Sequence, residues 1–381
     1  MMPAAQRPVR LALLGGGRGS FIGAVHQAAA RRDNRFDLVA GVFSRTLEKS
    51  REQAFLWGVD PERAYASHED MFRAEAGRED GIEAVAIATP NDSHFPIARA
   101  ALGAGLHVIC DKPMTATLEQ ARQLAAQVEA AGRAFALTYT YTGYPMIREA
   151  RARVAAGVLG AVRKVVVEYP QGWLWQTTDE SNVQAAWRID PERAGKGGCI
   201  GDIGVHAFQL LEHVSGLRVE ELCADLPRLV PGRTLDDDCN VLLRLEGGVP
   251  GVLIASQACP GERNGLRLRI YGERASLEWS HAAPGELRIL TPDDRVEIVF
   301  AGAASLSPTS LAATRLPVGH PEGFVEAFAN IYTDFAQAIR TGAPATEVPG
   351  ADEGLRSLEF IERAIASDAE RRWLPFAENS V

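Results

Sequence analysis

Strand and helix signals alternate along roughly the first 140 residues of this chain. Short apolar runs are bounded by glycine, proline or polar residues, and stretches with helical periodicity stand between them. This alternation predicts a doubly wound parallel sheet covered by helices, because parallel strands need crossover connections. The predicted strands are 9–14, 36–44, 84–89, 107–110 and 134–139, and the predicted helices are 22–32, 47–58, 69–75, 95–104 and 118–131.

The pattern changes after Tyr144-Pro145. A helix at 146–156 is followed by strand-like runs with hairpin signals between them, which predicts a second α/β domain built on a large, mostly antiparallel open sheet. Its predicted strands are 162–169, 219–226, 240–245, 252–257, 266–271, 275–279 and 296–300, with a loop at 303–317 and a helix at 324–340. We therefore predict domains at 1–141 and 142–381, which suits a length of 381 residues.

Composition excludes several classes of protein. The net charge is −9 and the sequence has no basic run that would follow a phosphate backbone, so we predict no nucleic-acid partner. No segment approaches the roughly 20 apolar residues that cross a bilayer, and the N-terminus lacks the apolar core of a signal peptide. The five cysteines are scattered and odd in number, which favours free thiols. We predict a cytoplasmic protein without a membrane partner.

A glycine-rich turn follows the first predicted strand. Gly15 and Gly17 fit the first two positions of a Gly-x-Gly-x-x-Gly turn, Ser20 occupies the third, and Gly23 fits that role if the turn is longer. Glycines let the backbone approach a pyrophosphate, and the helix that follows offers unpaired N–H groups. The turn therefore predicts a dinucleotide site, although a purely structural turn is an alternative.

The end of the second strand bears on the choice of cofactor. An acidic residue there binds the ribose hydroxyls of NAD. This chain instead has Ser44 and Arg45, and arginine suits a 2′-phosphate because it presents paired donors. We predict NADP or NAD and favour NADP; the alternative is that Arg45 stacks on adenine or faces water while the enzyme uses NAD.

Lys112, Asp202 and His206 are the candidate catalytic residues. Lys112 directly follows an apolar strand, at the sheet edge where ligands bind. Asp202 and His206 are four residues apart, so they share one face of a helix that starts near Asp202. Histidine has the pKa range of a base for a hydroxyl proton, and lysine can stabilise charge on that oxygen. The alternatives are a helix-capping Asp202, a packed core His206 and a surface Lys112.

At this point the chain resembles the oxidoreductases grouped around glucose–fructose oxidoreductase, inositol dehydrogenase and the rhizopine-catabolism protein (Gfo/Idh/MocA). The matching segments are 23–26, 88–94, 104–113 and 197–206. The resemblance implies a Rossmann domain followed by an open-sheet domain. It also implies that His206 is the acid/base, that Lys112 positions the hydroxyl and that Asp202 orders the pair. Asp111 stands where the family usually has Glu, and 139–145 lacks the Asn-x-Arg often found there.

Further residues are assigned by their place beside these segments. The predicted cofactor contacts lie in the glycine turn, at strand ends and before the second glycine motif: Gly15, Gly17, Arg18, Ser20, Phe21, Ile22, Ser44, Arg45, Thr89, Pro90, Asn91, His94, Asp111, Lys112, Trp187 and Arg188. The predicted substrate contacts include aromatic faces that suit a sugar ring: Tyr141, Tyr169, Trp173, Arg188, Asp202, His206 and His320.

Each of these extra assignments has an ordinary alternative. The aromatic residues suit core packing or an oligomer contact, Arg188 suits a salt bridge to Asp190 or Glu192, and His320 suits a helix start. The triplet Asp236-Asp237-Asp238 is compatible with a metal, but no histidine accompanies it and the predicted chemistry needs none, so we predict no metal site.

Together these features predict an NAD(P)-dependent dehydrogenase of a sugar, polyol or inositol-like substrate. Two alternatives stay open: an NAD-dependent glycosidase that acts by transient oxidation, and a dinucleotide-sensing regulator without catalysis. We also expect a homodimer or homotetramer through the open sheet, because a broad exposed sheet face is a natural contact.

Overall fold

The computed structural model describes residues 7–177, 188, 190–191 and 195–376. These residues form two compact units. The first unit runs through Gly143 and also contains Phe324–Leu355, and the second contains Tyr144–Gly323 together with the chain from Arg356 onward. The first boundary lies next to the predicted division at 141/142. The sequence pattern predicts a single second domain at 142–381, whereas residues 324–355 belong to the first unit.

The first unit is built on a parallel sheet. Its strands are β1 (Val9–Gly15), β2 (Phe36–Val42), β3 (Ala84–Ala88), β4 (His107–Cys110) and β5 (Phe135–Leu137). The order β2-β1-β3-β4-β5 reverses direction at β1, and every pair is parallel. The wholly apolar β3 is buried along its length, as expected for a strand covered on both faces. The predicted doubly wound sheet is confirmed.

The helices of this unit connect the strands or return to pack on them. They are α1 (Phe21–Arg32), α2 (Leu47–Leu56), α3 (His68–Ala76), α4 (His94–Gly103), α5 (Leu118–Ala131) and, late in the chain, α9 (Phe324–Thr341). Helix α9 belongs here because its buried aromatic residues lie at helical spacing and join the core of this sheet. Phe36 stacks on Phe335 with 5.8 Å between ring centroids, and Tyr332 meets Phe36 edge-on at 5.3 Å.

The second unit is built on an open sheet, which has nine strands within the described residues. They are β6 (Val162–Pro170), β7 (Val219–Asp225), β8 (Asp238–Leu245), β9 (Val249–Ser256), β10 (Arg267–Gly272), β11 (Ser276–Ser280), β12 (Glu286–Leu290), β13 (Val296–Phe300) and β14 (Leu374–Pro375). The strand order is β13-β12-β11-β10-β6-β9-β8-β7-β14, and β6 and β9 pair in parallel while the other pairs are antiparallel. The predicted mostly antiparallel sheet is confirmed; β12 and β14 were not predicted.

The remaining helices are α6 (Pro145–Ala155), α7 (Val205–Ser215), α8 (Pro308–Ala312) and α10 (Ala351–Glu370). Helix α7 follows directly on a π-helical turn, Ile200–Gly204, which the sequence pattern did not predict. Helix α8 lies in the region predicted as a loop, where Ser307 caps it and Pro308 takes its first position. In the part of the chain that the structure describes, no helix is both long and apolar enough to cross a membrane.

Candidate active site

The turn between β1 and α1 is shaped for a close backbone approach. Gly15 and Gly16 have φ of +100° and +86°, a region that favours glycine. A Cβ at Gly17 would lie 2.9 Å from the carbonyl oxygen of Phe43. Helix α1 begins next to this turn, and its positive end faces the same edge of the sheet. The missing side chains let this turn pack directly against Ala88, Trp57 and Phe43. The N-terminus of α1 beside it fits the pyrophosphate of a dinucleotide.

Two residues share the roles expected of the third glycine in the Gly-x-Gly-x-x-Gly turn. Ser20 caps α1, because its Oγ accepts a hydrogen bond from the Gly23 N–H at 3.2 Å. Gly23 is buried, and a Cβ there would overlap the Cα of Gly16 and lie 2.7 Å from its nitrogen. Gly23 therefore supplies the close packing of helix on turn that the third glycine normally supplies.

Ser44 and Arg45 follow β2 on the same edge. Ser44 is half-buried and Arg45 is exposed. The loop before α2 is fixed by the Phe43 N–H, which donates to the Ser50 Oγ at 3.0 Å. The neighbouring predicted cofactor residues also lie just beyond the ends of β1 and β3, half-buried or exposed: Arg18, Phe21, Ile22, Thr89, Pro90 and Asn91. Their contacts with a cofactor stay predictions.

His94 has a different environment from the one predicted. It is fully buried, with Nδ1 2.7 Å from the carbonyl oxygen of Pro113 and Nε2 2.8 Å from that of Thr89. Both ring nitrogens are therefore engaged by backbone, which corrects the prediction of a direct cofactor contact. His94 instead ties the loop after β3 to the loop after β4, the loop that carries Lys112.

Lys112 projects from a firmly held segment. The Asp111 N–H donates to the Ile87 carbonyl at 2.9 Å, and the Asp111 Oδ1 accepts from the Thr138 Oγ1 at 2.7 Å. The Lys112–Pro113 peptide is cis, and Lys112 is half-buried. Asp111 thus joins neighbouring strand ends, and the backbone of Lys112 is fixed at the carboxyl edge of the parallel sheet.

In the second unit, Asp236 holds the start of the π-helical turn. Its two carboxylate oxygens accept hydrogen bonds from the N–H groups of Gly198 (2.6 Å) and Ile200 (2.7 Å). Burial raises the pKa of Asp236 to about 6, and the two N–H donors oppose that rise. A Cβ at Gly198 would lie 2.9 Å from that of Leu235, which explains why glycine occupies this position.

Asp202 lies within that π-helical turn. Its Oδ2 accepts from the Arg188 Nε at 3.0 Å and from the Gln257 Nε2 at 2.8 Å. Its side chain does not cap the helix, because Asp236 provides the acceptors there; this corrects the capping alternative. Arg188 pairs with Asp202. The alternative of a salt bridge to Asp190 or Glu192 stays a prediction, and Glu192 lies outside the described residues.

His206 is half-buried in the first turn of α7. The Tyr169 ring meets it edge-on, with 6.4 Å between ring centroids. The structure therefore places Tyr169, Asp202 and Arg188 around the same stretch of the second unit as His206.

A group of amide side chains extends this cluster. The Asn264 Oδ1 accepts from the Gln171 Nε2 at 2.6 Å and from the Tyr169 hydroxyl at 3.4 Å. The Gln171 Oε1 accepts from the Trp173 Nε1 at 2.9 Å, and the Arg188 guanidinium lies 5.4 Å from the Trp173 ring centroid. A chain of polar and cation–π contacts thus links Asn264 to the residue that holds Asp202.

Sequence reasoning missed Gln171, Gln257 and Asn264. Gln171 and Gln257 follow β6 and β9, the parallel pair, whose register places Pro170 opposite Ser256. A polar residue soon after an apolar strand is the signal available for Gln171. Gln257 carries no such signal, because the sequence pattern places it inside the predicted strand 252–257.

Three other predicted residues stand apart. Trp187 lies outside the described residues. Tyr141 is buried in the first unit, and His320 is exposed with its Nδ1 3.2 Å from the Pro317 carbonyl. The cofactor role of Trp187 and the substrate roles of Tyr141 and His320 stay predictions.

The aspartate triplet has a structural role. The Asp237 oxygens accept from the N–H groups of Leu229 (2.6 Å) and Val230 (2.9 Å), as the Asp236 oxygens do from the turn before α7. Across the described ranges, no group of three or more His, Cys, Asp or Glu side chains could hold a metal ion.

Comparison with known proteins identifies the family of the chain. A model described as an oxidoreductase family with an NAD-binding Rossmann fold matches residues 9–139, and the GFO/IDH/MocA C-terminal domain model matches residues 147–278. The oxidoreductase YfiI of Bacillus subtilis is 36% identical over 374 residues, which cover 95% of each chain.

Solved structures give the same result. A crystal structure of an inositol dehydrogenase homologue from Azotobacter vinelandii complexed with NAD+ is 37% identical over 97% of each chain, with a TM-score of 0.92. An oxidoreductase from Sinorhizobium meliloti is 41% identical, covering 97% of this chain and 100% of that one, with a TM-score of 0.89. The chain therefore belongs to the GFO/IDH/MocA family of oxidoreductases, whose NAD-binding Rossmann fold it carries in its first unit.

Proposed function

We propose that this oxidoreductase is an NAD(P)-dependent dehydrogenase that oxidises a hydroxyl group of a sugar, polyol or inositol-like substrate. The observation that carries the proposal is the Asp202 carboxylate, held by Arg188 and Gln257 four residues before the half-buried His206. A relative supports the substrate class: an inositol dehydrogenase homologue from Azotobacter vinelandii, 37% identical, has been solved with NADH and myo-inositol.

The proposed cofactor residues are those of the glycine turn and the strand ends beside it. Gly15, Gly16 and Gly17 let the turn pack closely beside the α1 N-terminus, whose N–H groups and positive dipole end suit a pyrophosphate. When bound, the dinucleotide supplies the hydride acceptor for the oxidation.

The chain's own residues handle the proton and the developing charge. His206, in its neutral form, takes the hydroxyl proton as the carbon gives up hydride. Lys112 donates a hydrogen bond to the same oxygen and stabilises the negative charge that builds there. Asp202 orients the imidazole and favours the imidazolium that results.

The preference for NADP is also part of the proposal. Arg45 is exposed beyond β2, next to Ser44, and residues 43–46 contain no carboxylate. The Arg45→Ala variant should lose about tenfold in kcat/KM with NADP and much less with NAD, since it removes a donor pair for the 2′-phosphate. A wild-type enzyme that strongly prefers NAD, or equal losses with both cofactors, would contradict this assignment.

Incubation with monosaccharides, inositols, other polyols and glycosides, each with NAD+ or NADP+, tests the proposed function. We expect reduced cofactor to accumulate one-for-one with an oxidised product. Glycoside cleavage without net cofactor reduction would indicate the glycosidase alternative. Tight nucleotide binding without turnover of any substrate would indicate the regulator. The oligomeric state and the cytoplasmic location stay predictions.

A further inference from the structure

We propose that Gln257 is a positioning residue of this enzyme: with Arg188 it fixes the carboxylate of Asp202, which in turn orients His206. The inference rests on the proposed function and extends it to a residue outside the Lys, Asp and His set. Gln257 lies in the loop after β9, far along the chain from the helix that it serves.

Two donors converge on one oxygen atom of Asp202. The Arg188 Nε is 3.0 Å and the Gln257 Nε2 2.8 Å from Oδ2. Because the donors come from different segments of the chain, together they restrict rotation of the carboxylate about its side-chain bonds. Hydrogen bonds to an ionised acceptor are roughly twice as strong as neutral ones.

Gln257 itself is held in place. It is 3% exposed, and its N–H donates to the Asp237 carbonyl at 2.9 Å. Its carbonyl oxygen accepts from the Leu174 N–H at 3.2 Å. The backbone of Gln257 is thus bonded on both sides, so its amide reaches Asp202 from a fixed origin.

The chemistry of an amide limits the role of Gln257 to positioning. A glutamine amide neither takes nor gives a proton in the working pH range, and it offers Asp202 an N–H donor without adding charge. If Gln257 acts through Asp202, the effect of its removal must depend on the carboxylate. If it merely stabilises the fold, the effect must be the same with or without that carboxylate.

A double-mutant cycle separates these cases. Gln257→Met keeps the side-chain length and removes the donor, and Asp202→Asn removes the carboxylate charge. We expect Gln257→Met to lower kcat by about 10- to 100-fold, with KM for the polyol within about threefold. In the Asp202→Asn background, read from extended incubations, the same change should alter kcat by less than about threefold.

Two further variants sharpen the cycle. Gln257→Glu puts an acceptor of the same shape against Oδ2 and should lower kcat at least as far as Gln257→Met. Gln53→Met, a matched change of a buried glutamine in the first unit, should leave kcat within about twofold. Kd for NADH and the thermal midpoint of each protein report cofactor binding and folding.

Equal effects of Gln257→Met in both backgrounds, or an unchanged kcat in Gln257→Met or Gln257→Glu, would overturn the positioning role and leave the proposed function intact. If Gln257→Met loses kcat because it does not fold, the same double-mutant cycle is carried out with Gln257→Glu, and its result decides between the two cases. A wild-type enzyme that reduces neither cofactor with any polyol would overturn the proposed function and this inference together.

Discussion

His26 shows how burial can set the protonation state of a single residue. His26 on α1 is fully enclosed, its Nδ1 lies 2.7 Å from the Tyr332 hydroxyl, and the Phe328 ring packs against it. Burial lowers the pKa of His26 to about 4, and the charge of Asp111 opposes that shift. The folded protein therefore keeps this ring neutral.

The lowered pKa of His26 predicts a loss of stability in mild acid. The unfolded chain takes up a proton at a pKa of 6.5, whereas the folded protein does so near 4, so stability is full above 6.5 and falls as pH drops through that window. Between about pH 7.5 and pH 5 this residue should remove roughly 2 kcal/mol. Urea unfolding at both pH values should show that part of the loss in the wild type and not in His26→Gln.

His26→Gln also loses the ring contacts, so it should be less stable than the wild type at both pH values. The comparison is therefore between the two pH-dependent differences. An equal loss of stability on acidification in both proteins would contradict a neutral buried His26.

At the scale of elements, the π-helical turn before α7 is the least regular part of the candidate site. A π-turn inside a helix is often found at functional sites, because it redirects side chains. Here the turn carries Asp202, and Asp236 holds its first N–H groups. Asp236 therefore positions the proposed catalytic segment through hydrogen bonds to its backbone N–H groups.

The aspartate triplet offers a matched test of this role. Asp236→Asn leaves an amide NH2 facing one backbone N–H, which should lower the free energy of unfolding by roughly 1–3 kcal/mol and lower kcat. The control is Asp238→Asn, whose carboxylate accepts from the Asn240 side chain at 2.7 Å. It should change stability by less than about 0.5 kcal/mol. Equal thermal midpoints and equal kcat in both variants would contradict the role of Asp236.

The elements were largely predictable from sequence wherever a single local pattern decides them. Strand β4, helix α5 and strand β13 have the predicted bounds, because apolar periodicity and turn residues mark both of their ends. The π-helical turn was not predictable, since it depends on Asp236, which is distant in sequence. Strand β14 has two residues, too few for a period. Helix α10 was missed although its apolar residues recur at helical spacing, as they do in α9.

The residues of the candidate site also fall into those that the sequence indicates and those that only the tertiary structure reveals. Lys112, Asp202 and His206 are predicted because their residue types and spacing suit the chemistry, and their catalytic roles stay proposals. Gln257 and Asn264 were missed because amides carry no such signature, and only strand pairing in the second unit brings them to the cluster. His94 was assigned to the cofactor by its neighbours in sequence, whereas tertiary contacts engage both of its nitrogens.

At the scale of the whole molecule, the sheet of the second unit has apolar side chains on its exposed face. Leu242 on β8 and Ile254 on β9 are 50% and 37% exposed, on neighbouring strands whose register puts them on one face. If this face joins copies of the chain, as we predicted, Leu242→Glu should lower the solution mass measured by light scattering. Phe55→Glu, a change of an exposed residue on α2, is the control.

A wild-type protein that is monomeric at micromolar concentration, or a mass unaffected by Leu242→Glu, would contradict the oligomer prediction. The catalytic proposal does not depend on this outcome.

The central claim is that Lys112 and His206 act in the oxidation of a hydroxyl group, and paired measurements of turnover and NADH binding on Lys112→Ala and His206→Ala test it most directly. Each variant should lose roughly 100- to 10,000-fold in kcat, because each removes a group that acts on the reacting hydroxyl. Kd for NADH should stay within about threefold of the wild type in His206→Ala. It should rise by no more than about tenfold in Lys112→Ala, which removes one predicted cofactor contact and leaves the glycine turn intact. Near-normal kcat in both variants would contradict the mechanism.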